Sequence, residues 1–481
     1  MTHDSRPPRP ARATALSLIW MMAACGGEPA EPDASVEPTA VRASTPIQVD
    51  TIEALPATMY SVEVRDESGG ISIGREVVFS GENMSVAAGT SPFGATVSAS
   101  TDANGRAAVR VRFGTMPGDG RIVANVPTLS VADTLPFVIE AGAPQTVAMA
   151  LGDTTVTIGT VLAMGVAAED RLGNPVEAQA QVVVGAAVLD GDDATFPSLG
   201  VSTIRVEAGG NVASATVLAI PDGTLVYTSG TQVWLVDFDG TDREMLPFTV
   251  PSVREPSIDW SDDGQRLVVG GYDGYRVFDL QTDEVYPAAW PGGDAGGEVI
   301  WPRFKPDGTI FYSQNDGGGW DLRTADIDAT SPRTIIPADR FPEEDLNPDW
   351  APDGSVLSFT ADWEENNKFL LRIADTLAAS VATLQVEAAT PVWSPDMSML
   401  GYQELGIVGV VSPDGVTITR EWVPGWSKGV SWDPDSSMLV GINGGTIEVI
   451  DVATGVVMAF PQLSTSANAV GWRPRIPPMA P

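Results

Sequence analysis

Histidine is all but missing from this 481-residue chain, where His3 stands alone. Cysteine is as scarce: Cys25 is the single one, so no disulfide can form within the chain. Of 27 basic residues only Lys305, Lys368 and Lys428 are lysines; 63 acidic residues oppose them, and the formal net charge is −36. Such a surface repels phosphate backbones and anionic headgroups, which argues against nucleic acid as a partner. The same acidity serves solubility. Long apolar runs are also few. After Ala13 to Ala24 none recurs, and that one is too short to span a bilayer stably.

That run has a setting. Arg6, Arg9 and Arg12 precede it as a basic stretch, and together they read as an export signal. It ends Met22-Ala23-Ala24-Cys25-Gly26. Small residues directly before a cysteine resemble a bacterial lipobox. The resemblance implies cleavage before Cys25, a lipid on its thiol, and the outer membrane as partner through that lipid. Gly26 after the cysteine, rather than Asp, is similar to lipoproteins sent to the outer membrane. Cleavage would remove three arginines, one aspartate and His3, taking the charge from −36 to −38. Residues 25–45 are rich in Pro, Glu and Ala, as expected of a disordered acidic tether.

From 46 to 140 the pattern is short strands between Gly and Asp turns. Tyr60, Val62 and Val64 alternate with polar residues, as do Val109, Val111 and Phe113 with Arg110 and Arg112. Alternation of this kind marks half-buried strands, and regular spacing suggests a β-sandwich. Residues 141–218 repeat the plan, with Asp170-Arg-Leu-Gly-Asn-Pro-Val176 aligned to the Tyr60 run at an offset of 104. The phrases Thr101-Asp-Ala-Asn-Gly-Arg-Ala107 and Asp170 to Val176 resemble immunoglobulin-like domains of the invasin and intimin kind. That resemblance implies two sandwiches acting as spacers or, in a sharper reading, as an adhesive stalk.

Residues 219–475 carry a repeat of about forty residues, the mark of stacked supersecondary units. It reads Trp260-Ser-Asp-Asp-Gly264, Phe304-Lys-Pro-Asp-Gly308, Trp350-Ala-Pro-Asp-Gly354, Trp393-Ser-Pro-Asp-Met397 and Trp432-Asp-Pro-Asp-Ser436. Pro221-Asp-Gly223 leads the series and Trp472-Arg-Pro474 ends it. In each unit the aromatic ends a first strand, Pro-Asp-Gly turns, and apolar strands follow. Four strands per unit is a propeller blade. The loss of glycine at Met397 and Ser436 suggests turns of another type there. Six turn signals and six aromatic positions predict six blades. The strand ending at Trp472 is expected to complete the first blade. The array resembles TolB-type propellers, which are similar to WD-repeat propellers in plan. That resemblance implies protein binding in the periplasm.

With His3 removed and Cys25 lipidated, no Ser-His-Asp triad, imidazole ligand or cysteine nucleophile remains. There is no Walker-type Gly-Lys-Ser/Thr, and Pro291 to Gly297 does not open a helix. Carboxylate chemistry survives: Glu343, Glu344 and Asp345, or Asp362, Glu364 and Glu365, are candidates for cleaving a glycan. Asp237 to Asp242 and Asp190 to Asp193 offer oxygen ligands, but neither matches a calcium loop. Neither a catalytic residue, a cofactor nor a metal site is assigned. Trp320 and Trp363, in matching loops of neighbouring blades, are the candidate partner contacts. The expectation is an all-β chain, with two immunoglobulin-like sandwiches followed by a six-bladed propeller. It is a lipid-anchored envelope protein, facing the periplasm or the cell surface. It is expected to bind an envelope protein without catalysis. The alternatives are glycan binding or cleavage, and adhesion.

Overall fold

A computed structural model describes residues 38–43, 49–56, 59–127, 131–252, 254, 256–289, 298–315, 317, 319–337, 347–361, 370–375, 380–404, 406–414 and 418–475. Every regular element among them is a β-strand. Among the described residues no helix is long and apolar enough to cross a membrane. The chain divides into two units, 1–143 with 170–175, and 144–169 with 176–481.

In the first unit two sheets share one core. One has the strand order Pro38–Ala43, Tyr60–Asp66, Arg106–Phe113, Met84–Ala87. The other runs Val49–Thr51, Val131–Glu140, Gly118–Val126, Glu76–Glu82, Thr96–Ser100. Tyr60, Val62, Val64, Val109, Val111 and Phe113 bury against Phe79, Ile122 and Phe137 of the second sheet. Arg110 and Arg112 point away and lie over the Phe93 ring. The alternation read from the sequence is therefore the alternation of the sheet. Pro38–Ala43 corrects the expected tether: five of these six residues pair antiparallel with the Tyr60 strand, Val41 opposite Val64, with a register shift at Thr39. Proline and glutamate frequency missed it because an open strand edge recruits backbone, whatever the composition.

The turn 170–175 belongs with this unit rather than with the segment that flanks it. The Asp170 carboxylate accepts from the amides of Gly142, Leu172 and Asn174. These bonds, against the cost of desolvation, hold its pKa down at about 2.

The second unit opens with three small sheets around Met164, Ala194, Phe196, Ile204, Val217 and Ala219. The strand Asn211–Ile220 then passes straight into six four-stranded antiparallel sheets. The first is ordered Glu244–Thr249, Gln232–Asp237, Thr224–Ser229, Ala467–Trp472. The others run in chain order from the strands Ser257–Trp260, Glu298–Phe304, Asp349–Trp350, Ala389–Trp393 and Lys428–Trp432. As the sequence requires, Ala467–Trp472 completes the first sheet, with Leu225 opposite Trp472 and Tyr227 opposite Val470.

Each sheet packs on the next through its own apolar cluster. Trp260 lies against Leu235 and Phe248 of the first sheet, Phe304 against Tyr275 and Val277 of the second, Trp350 against Phe311 and Leu322 of the third. Trp393 lies against Leu371 and Leu384 of the fourth, and Trp432 against Val408 and Val410 of the fifth. Trp472, Phe238 and Leu225 then meet Val440, Ile447 and Phe460 of the sixth, so the succession returns to its start. Leu199 and Ile220 join that same cluster, so no break in packing falls at residue 218.

The two turns that lack glycine are not of another type. Met397 and Ser436 sit at φ +60° and +59°, beside +63°, +82° and +71° for Gly264, Gly308 and Gly354. The Met397 amide donates to Ser394 O at 2.8 Å, as Gly308 donates to Lys305 O. The surrounding strands impose the left-handed conformation, and a non-glycine residue bears its cost of roughly 1–2 kcal/mol.

Candidate functional site

The residue before each repeated aromatic points to the opposite face of its strand, because successive side chains alternate. Those residues are Asp259, Arg303, Asp349, Val392, Ser431 and Gly471. Two positions beyond the aromatic stand Asp262, Pro306, Pro352, Pro395, Pro434 and Pro474. All twelve line one cavity of about 500 Å³, together with the aromatics themselves. Six sheets thus present the same positions to a common space.

The side chains before the aromatics also stitch neighbouring sheets together. Asp259 Oδ2 accepts from the Phe304 amide at 2.7 Å. Asp349 Oδ2 accepts from the Trp393 amide at 2.7 Å, and Ser431 Oγ from the Trp472 amide at 3.1 Å. Arg303, between the two aspartates in the order of sheets, donates from Nη1 to Ile258 O at 3.1 Å and sits 3.6 Å from Asp259 Oδ1. Its side chain is 14 % exposed and that of Asp259 26 %, so both keep a face toward the cavity.

Burial sets the electrostatics. Loss of water pushes Asp259 up to about 6 and Asp349 up to about 7, against the pull of Arg303. Asp262 is raised as well, by desolvation and then by Asp263. Three carboxylates and Arg303 therefore share the inner lining, while Arg475 at its end is paired with Asp435 at 2.6 Å. Behind the wall several buried donors are unmet, closed off from the cavity. Trp260, Trp350, Trp393 and Trp472 are at most 8 % exposed, and their indole N–H groups have no partner among the described residues. Arg303 Nε is in the same position. Trp432 differs, donating to Val392 O at 3.1 Å.

The residues singled out from sequence fare differently. Trp320 is 7 % exposed and packs with Ile300, Trp350 and Phe359, which corrects its reading as a partner contact: the ring is core. Trp426, not singled out from sequence, is buried against Gly441 and donates to Glu448 Oε2 at 2.8 Å. Cys25, Trp363, Glu343, Glu344, Asp345, Asp362, Glu364 and Glu365 lie outside the described residues. Asp237 accepts from Thr224 Oγ1, and Asp192 from the amides of Gly165 and Val166. No group of three or more acidic, histidine or cysteine side chains suited to a metal occurs among the described residues. Sequence reading missed Asp259, Arg303 and Asp349. The available signal was the variable residue beside a fixed aromatic: when one face of a strand is held constant for packing, the other is free to carry a site.

No family model matches the chain, and no curated protein matches it. Among solved structures it is similar to TolB from Acinetobacter baumannii, with 16 % identity, a TM-score of 0.44, and coverage of 62 % of this chain and 82 % of that one. A putative TolB from Agrobacterium tumefaciens is similar at 14 % identity and a TM-score of 0.40, over 52 % of this chain and all of the other. A DUF4784 family protein from Bacteroides caccae follows at 13 % identity and 0.33, over 69 % and 99 %.

Proposed function

We propose that this chain is a lipid-anchored envelope protein whose sheet ring, residues 219–475, is a six-bladed β-propeller that binds a protein partner without catalysis. In this reading residues 46–140 and 141–218 are immunoglobulin-like sandwiches, and Cys25 carries the lipid at the outer membrane. The observation that supports partner binding is the cavity of about 500 Å³ into which six sheets turn equivalent positions. Its size suits a few side chains of an inserted segment. Its aromatic and proline wall offers rigid contact area. A photo-crosslinking residue at Pro352 or Pro395 should capture a discrete envelope protein in cells, and one at Glu244, on an outermost strand, should not. Equal capture at all three positions, or none at the cavity, would count against the reading.

Glycan cleavage keeps one specific observation. It calls for two carboxylates at a cavity flanked by aromatics, and Asp259 and Asp349 stand beside Trp260 and Trp350. Both are tied to backbone amides, and Asp259 also lies near Arg303. Release of reducing sugar ends from envelope polysaccharide, lost in D349N, would favour this second reading over the first.

A further inference from the structure

Every charged group lining the cavity can be assigned. Asp259 comes from the innermost strand of the second sheet and Asp262 from the turn after it. Arg303 and Asp349 come from the innermost strands of the third and fourth sheets, and Arg475 follows the last strand. Arg475 is engaged by Asp435. On the inner lining a single guanidinium therefore faces three carboxylates. The other half of the wall, Val392, Ser431 and Gly471, has no charge. A desolvated carboxylate without a counter-charge either takes a proton or takes a cation. Asp349 spends one oxygen on the Trp393 amide, and its other oxygen has no donor among the described residues.

We propose that the cavity receives a basic side chain, arginine or lysine, of an inserted peptide segment. Its cationic head would lie at Asp349 and Asp259. The inference rests on the partner-binding reading of the cavity and adds the charge of what enters it. Arginine suits the site better than lysine, because its planar fork presents several donors to carboxylate oxygens. Proton loss from the aspartates must accompany binding, so affinity for the cation should rise between pH 5 and pH 8.

Two blocked tripeptides test this directly: acetyl-Ala-Arg-Ala-amide and the neutral isostere acetyl-Ala-citrulline-Ala-amide, titrated against the mature chain. Five tryptophans line the cavity, so their emission reports occupancy. The arginine probe should bind about ten- to a hundredfold more tightly, the scale of one charge-assisted contact. D349N should erase the preference, and a single cooperative melting transition would show that the variant is folded. In D349N the Asn carbonyl can still accept from the Trp393 amide, so folding should survive. Equal affinities, a preference that persists in D349N, or no arginine-dependent signal at any pH would overturn the proposal. Crosslinking from Pro352 is read separately. A captured protein whose adduct is indifferent to D349N would leave the partner reading standing and remove the cation. An arginine preference without any adduct would do the reverse.

Discussion

Asp259 and Asp349 show how a residue can be placed by one demand and used for another. Each carboxylate ties its sheet to the next through a backbone amide, yet each is held where water is scarce. With pKa values raised from 3.8 to about 6 and about 7, the folded chain keeps protons that the unfolded chain has released. Stability from these two groups is thus full below about pH 4 and falls as pH rises toward 7. Denaturant midpoints at pH 5 and pH 8 should differ less in D349N than in the wild type. An equal difference in both would show that Asp349 does not titrate as described. Neither aspartate was read as a site residue: its place beside a fixed aromatic was visible in the sequence, but not that this side of the strand meets a cavity. Cys25 is the opposite case, a proposal that rests on its sequence neighbours alone. Labelled fatty acid should enter the exported chain and be lost in C25S; retention in C25S would exclude the lipid at that position.

At the scale of elements the repeat phrase was readable because its parts have fixed tasks. Aromatics at six positions wedge between sheets, and Asp-Gly steps reverse the chain. The phrase hid how strongly the sheets dictate their turns. Met397 keeps a left-handed backbone without glycine, and its side chain is 38 % exposed, so little packing is at stake. M397G should therefore raise stability by about 0.5–1 kcal/mol, the relief of strain less the added freedom of the unfolded chain. A lower denaturant midpoint for M397G would contradict this. Gly441 is fixed by close approach: a Cβ there would meet the Trp426 ring at 2.0 Å. G441A should be clearly destabilising, and an unchanged midpoint would mean that the ring yields easily.

At the scale of the molecule, strand content and the return of the last strand to the first sheet could be read ahead of the structure. The break near 140 lies beside the boundary between the two units at 143, while no boundary falls near 218. Pattern breaks near 140 and 218 mark changes of motif, but packing follows proximity: Leu199 and Ile220 share a cluster with Phe238, Phe460 and Trp472. Residues 176–218 should therefore melt together with the sheet ring. Trp472 sits in that cluster and in the closing strand, so W472A should cost about 3–5 kcal/mol. Deleting residues 466–475 should abolish the cooperative transition of the whole ring. Survival of that transition in calorimetry would show that the ring does not depend on its closing strand.

The closing strand also bears on time. Ser229 and Ser466, hydrogen-bonded at 2.7 Å, lie 237 positions apart. A chain emerging from its amino end displays the Thr224–Ser229 edge long before its partner strand exists. Until then the first sheet has an open edge, a template for pairing with other chains. So distant a pairing also slows folding. For this protein, the hazardous interval is the delay between the appearance of its first sheet and the arrival of its last strand.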